Sequence, residues 1–207
     1  MSLRAITGSI CKAIAVFALL ASISLVTTTH ANAKKVSIKT KTKFYKITGR
    51  SAREFALSMS KKGPYSRQHR RRAWATAARD LSYQLVHQKF GKSCRIKEAK
   101  VSMKITYTMP KLASKRGVSS RELKKWRRMY ALLDKHEKVH GRYFSQLAKQ
   151  SQKALSKLRP AKTCRKLEKN ALALMKKLSA ADSARNDRFD ARDGRNYSRM
   201  TRIYSGS

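Results

Sequence analysis

An α+β fold is predicted by three features of the sequence. Two segments alternate apolar and polar residues with period two, Leu81–Leu85 and Val101–Met109, and both precede any long helical pattern. From Ser119 the apolar residues recur instead at steps of three and four, as far as Leu178. Chain-breaking residues fall between these segments, at Gly63-Pro64, Pro110 and Pro160. Strands followed by helices, in 207 residues of which 41% are apolar, predict one domain. It would hold a small antiparallel sheet, a long helix and a second C-terminal helix.

The first 33 residues read as a cleavable signal peptide. Arg4 and Lys12 supply a positive start, Ala13 to Val26 an apolar run, and Ala31-Asn32-Ala33 the small residues of a cleavage site. The run is short for a membrane span, and no transmembrane segment is expected after cleavage. The expected location is therefore periplasmic or secreted. Removing Arg4 and Lys12 leaves +37 of the +39 net charge. In that compartment the excess faces anionic envelope polymers, and a ribosomal or nucleoid role with specific nucleic acid falls away. Cleavage also removes Cys11 and leaves Cys94 and Cys164, an even pair in an oxidising compartment. Their disulfide would close a loop of about 70 residues, worth roughly 4 kcal/mol in the chain-entropy account.

Lys34 to Ile47 carries Val36, Ile38, Phe44 and Ile47 among lysines, the pattern of a charged edge strand. Ser51 and Glu54 have capping-box spacing and open a short helix with Phe55 and Met59, which Gly63-Pro64 ends. The basic run Arg67-Gln68-His69-Arg70-Arg71-Arg72 reads as the start of a solvated helix, with an anion patch as the sharper alternative. Leu81, Tyr83 and Leu85 then form one strand face, and Val101, Met103, Ile105, Tyr107 and Met109 a second, stopped by Pro110. Gly91 and the region of Cys94 make the turn of a hairpin or meander.

Ser119 and Glu122 form another capping box. Leu123, Trp126, Tyr130, Leu133, Glu137, His140, Phe144 and Leu147 follow on one face of a helix reaching about Leu158. A second helix bears Cys164, Leu167, Ala171, Leu174 and Leu178 on one face. The domain is placed at 34–181, with 182–207 as a polar, basic C-terminal segment.

The long helix carries His136-Glu137-Lys138-Val139-His140. Two histidines four residues apart lie one turn apart on one side of a helix and can bind one zinc ion, with Glu137 as general base. Glu137 and His140 continue the apolar stripe, so they point inward, where a metal would satisfy them. A catalytic zinc takes three protein ligands and a water. No third histidine follows within Gly141 to Gln150; the other candidates are His69, His87, Glu168, Asp187, Asp190 and Asp193.

Tyr45-x-x-x-Gly49 with Ser51, Gly63-Pro64, Cys94, Tyr107-Thr108-Met109-Pro110, Trp126, the His136–His140 motif and Cys164 occur in an order that resembles the bacterial predicted secreted zinc-dependent proteases, a family catalogued as a domain of unknown function. The resemblance implies zinc binding and a protease-like activity, with no substrate assigned; a zincin-like fold and a peptide or protein substrate are further expectations. Members end in Tyr-Asp-x-x-Thr-x-His-Gly. Here the stretch is Phe189-Asp190-Ala191-Arg192-Asp193-Gly194-Arg195-Asn196, with Arg195 where the family has histidine. The third ligand is then expected from Asp193 or Asp190. The competing expectation is a non-catalytic zincin-like module that binds anionic envelope polymers by charge alone.

Overall fold

The computed structural model describes residues 36–66 and 70–205. The proposed signal peptide therefore lies outside the described residues. Lys34–Ser207 forms one compact unit with an α+β architecture.

Strand β1 (Ser37–Ile47) leads to helix α1 (Ala52–Lys62), whose N-cap Ser51 accepts from the Glu54 amide. Two short strands, β2 (Tyr65–Ser66) and β3 (Arg71–Arg72), then form a ribbon. The long hairpin of β4 (Thr76–Phe90) and β5 (Ser93–Leu112) turns at Gly91, whose φ of +55° suits a residue without Cβ. Helices α2 (Ser120–Ser156), α3 (Cys164–Arg192) and α4 (Gly194–Ser205) complete the chain.

The main sheet has the order β1-β5-β4. It is mixed, which corrects the antiparallel expectation: β4 runs antiparallel to β5 but β1 runs parallel to it. Alternation specifies which face of a strand is buried and says nothing about the direction of its neighbour. Pro110 does not stop β5, which runs on to Leu112. Its pairing with β4 begins only at Thr108, so beyond that point β5 has β1 alone beside it and a missing amide proton costs little.

The basic run does not open a helix. Arg71 and Arg72 pair with Tyr65 and Ser66, and Arg72 Nη1 donates to the Gly63 carbonyl at 2.7 Å. Residues 67–69, including His69, lie outside the described residues. Nor does the fold break at residue 181. Helix α3 continues to Arg192, and the segment placed outside the domain is helical throughout residues 182–192 and 194–205.

One face of the sheet is covered by helices, giving two apolar cores. The first gathers Ile47, Phe55, Met59, Met109, Trp126, Met129, Leu133 and Met200. The second gathers Val101, Met103, Ile105, Phe144, Leu147, Leu155, Ala171 and Met175. Helix α2, about 55 Å long, contributes to both. Between Leu133 in one and Phe144 in the other, its buried face carries Glu137 and His140.

Cys94 and Cys164 are disulfide-bonded, with Cα atoms 5.1 Å apart. Backbone hydrogen bonds exchanged between Cys94 and Ala161, at 2.7 and 2.9 Å, reinforce this joint between the start of β5 and the start of α3. The bond is compatible with an oxidising compartment. No helix among the described residues is long and apolar enough to cross a membrane.

Candidate metal centre

The helical repeat places His136 and His140 on adjacent turns of α2, facing the C-terminal part of α3. Their Nε2 atoms are 3.1 Å apart. Asp190 completes a triangle: its Oδ1 lies 3.2 Å from His136 Nε2 and 2.9 Å from His140 Nε2. Three ligands in tetrahedral array around zinc, each about 2.0–2.1 Å from it, are about 3.3 Å from one another. The observed edges are close to that figure, and the group His136, His140 and Asp190 has the composition and spacing to hold a metal ion.

The remaining ring nitrogens fix the tautomers. Asn186 donates from Nδ2 to the Asp182 backbone carbonyl at 2.7 Å and to Asp182 Oδ2 at 3.2 Å. Its Oδ1 is therefore an acceptor, and His140 Nδ1–H donates to it at 2.6 Å. His136 Nδ1–H donates to Asp193 Oδ2, also at 2.6 Å. Once deprotonated, as metal binding requires, each imidazole would present the lone pair of Nε2 toward Asp190 Oδ1 and the other ring. Outer partners of this kind orient metal-binding histidines and raise their basicity.

A further layer holds Asn186. Asp182 is buried and paired with Arg79 of β4 and with Arg185, whose Nη2 is 2.8 Å from its Oδ1. Arg185 also donates to the Tyr143 carbonyl at 3.0 Å and lies over the Tyr143 ring. Phe189 packs its ring on His136 and His140, at centroid distances of 4.9 and 5.2 Å. The centre is thus braced by α2, α3 and β4 together.

Glu137 stands beside it, buried, and lines the same cleft of about 1170 Å³. Burial raises its pKa, against the opposing attraction of the two histidines and a hydrogen bond from the Ala77 amide. That amide belongs to β4, an edge strand of the main sheet among the described residues, whose Thr76, Ala77 and Arg79 also line the cleft.

Burial disfavours the charged form of His136, yet the hydrogen bonds to Asp190 and Asp193 outweigh it and lift the group to about 9. His140 is raised for the same reasons, with Asp190 and Asn186 as partners. Asp190 is pushed well below the usual carboxylate range, because the two histidines overcome the effect of its burial. With no ion bound, His136 therefore carries a proton at neutral pH, and its pairing with Asp190 and Asp193 stabilises the fold. For a raised pKa that contribution is complete below about pH 6.5, the unfolded value, and is lost as pH rises through about 9.

Directly after His140, α2 has Gly141, and the reason is a close approach. A Cβ there would lie 2.8 Å from Tyr107 Cζ and nearer still to the Tyr107 hydroxyl. The Tyr107 ring is wedged between both cores, so it has little room to move. Gly141→Ala gains about 1 kcal/mol of helix propensity but overpacks a fixed ring, at about 1–3 kcal/mol or more. The expected result is a net loss of stability, read as a lower melting temperature by calorimetry.

Of the residues singled out in the sequence, His136, His140 and Asp190 meet at one point, and Glu137 lines the cleft beside them. Asp193 does not join the ligand triangle; it lies behind it, on His136 Nδ1. Asp187 lines the cleft. His87 and Glu168 face each other at 3.8 Å near the start of α3, 22 residues before Asp190. Asp182, Asn186, Arg79 and Ala77 were not evident from sequence reasoning. Asp182, Asn186 and Asp190 on α3 share a signal: they recur every four residues, in line with Ala171, Met175 and Leu178.

The family described as "Bacterial protein of unknown function (DUF922)" matches residues 42–197 of the chain. Neither the curated proteins nor the solved structures include a match.

Proposed function

Since this chain belongs to the DUF922 family of bacterial proteins, we propose that it is an exported zinc-dependent hydrolase acting on peptide bonds. The observation that supports this reading best is the convergence of two Nε2 lone pairs and one carboxylate oxygen, each histidine being held from behind by a dedicated acceptor. His136, His140 and Asp190 would hold the ion. Asp190 offers a carboxylate for the third position, which favours this reading over a module that binds by charge alone.

Zinc held by such a set would supply a Lewis acid that polarises the scissile carbonyl and acidifies water. The chain's own groups do the rest. Glu137, made a stronger base by the burial that raises its pKa, takes a proton from the attacking water and delivers it to the departing amide nitrogen. Water is thereby added across the C–N bond, its hydroxyl to the carbonyl carbon. The edge strand β4 offers backbone groups along which an extended peptide could lie beside Glu137.

The test is metal analysis with a peptide-library digest. One zinc per chain is expected, with cleavage that stops on chelation and returns with zinc. A protein that takes up no zinc, or cleavage indifferent to chelator, would overturn the reading. Because the metal must displace the His136 proton, zinc affinity is expected to rise roughly tenfold per pH unit up to about 9. Calorimetry in buffers of different ionisation enthalpy would measure the protons released.

A further inference from the structure

At the end of the molecule formed by the β4–β5 turn, the sequence places four cations and no acid in the nine residues 89–97: Lys89, Lys92, Arg95 and Lys97. The thirteen residues 157–169 add six more cations against Glu168 alone. The disulfide Cys94–Cys164 and the paired backbone hydrogen bonds between Cys94 and Ala161 bring these two segments together. Ten cations distant in sequence thus share one rigid pole, and all of them are exposed.

The same pole carries apolar surface that a merely solvated face would lack. Phe90, at the hairpin tip, is 62% exposed, and Val86 is 46% exposed. The Arg95 guanidinium sits 4.5 Å from the Phe90 ring centroid, leaving a cation beside the tip aromatic. A protruding aromatic ringed by lysine and arginine fits an interface whose surface is anionic and whose interior is apolar. A soluble polyanion satisfies the charges but leaves the ring in water.

We infer that this pole docks the protein on an anionic phospholipid surface, with Phe90 entering the headgroup layer and the surrounding cations engaging phosphate. The proposal is independent of the metal centre. The disulfide gives it rigidity, because it fixes the hairpin and the α2–α3 connection as one platform.

Co-sedimentation of Lys34–Ser207, the unit that contains both cores and the disulfide, tests it with two vesicle types. One is pure phosphatidylcholine; the other has about one phosphatidylglycerol in three lipids. Partitioning onto the anionic vesicles only is expected. Lys92→Ala should weaken it about fivefold and Phe90→Ala about tenfold. Both side chains are exposed, so both variants should keep the near-ultraviolet circular dichroism of the parent. Equal partitioning of Phe90→Ala and the parent would overturn the proposal, as would equal binding to phosphatidylcholine. Soluble polyphosphate that captures the protein regardless of Phe90, with no uptake by vesicles, would identify a polyanion site instead and also overturn it.

Discussion

Asp190→Ala is expected to weaken zinc binding by more than about 100-fold, whereas Asp193→Ala weakens it by about 10–100-fold. The difference follows from position. Asp190 Oδ1 is within 3.2 Å of both Nε2 atoms, where the ion would sit, and its loss removes a ligand. Asp193 holds His136 from its Nδ1 side, and its loss frees the ring to turn and lowers its basicity. Outer-partner losses of that kind set the smaller range. Competition titration against a chromophoric chelator ranks the two. The reverse order would make Asp193 the ligand and Asp190 the support.

Glu137→Gln is expected to lower peptide turnover by about 10²–10⁴-fold while zinc remains bound. Glutamine keeps the shape and can still accept from the Ala77 amide, but it cannot take a proton from water. The glutamate is buried where its charge is disfavoured, so the amide removes a strain on the fold. The melting temperature of the variant should not fall. Single-turnover assays with metal content measured on the same sample separate lost chemistry from lost metal. A variant that turns over like the parent would remove Glu137 from the reaction.

Much of the fold was legible because local patterns carry it. The capping boxes at Ser51 and Ser119 mark the starts of α1 and α2, and the stripe from Trp126 to Leu147 is the buried face observed. The direction of β1 was not legible, since a lysine-rich edge strand reads the same whether its neighbour runs with it or against it. Helix α3 loses its apolar pattern before residue 182 for a physical reason. Its inward stripe passes from Leu167 and Ala171 to Asp182, Asn186 and Asp190, so the apolar signal ends although the buried face continues. Polar groups take over the stripe where it meets His136 and His140. The motif helix therefore showed half of the centre, and the other half lay in a helix whose polarity made it look like a tail.

Cys164 and Asp190 stand at opposite ends of α3, 26 residues apart, or about 39 Å along the axis. Geometrically the helix is a long pointer pivoted on a covalent hinge. A swing of about 1.5° at the hinge carries its far end through roughly 1 Å, a displacement that costs a reacting constellation about 100-fold. Arg79 and Arg185, clasping Asp182 two turns before Asp190, shorten the free length of that pointer. The aim of one carboxylate is thus set jointly by a bond far from it and a clamp near it, and loosening either blurs the same point.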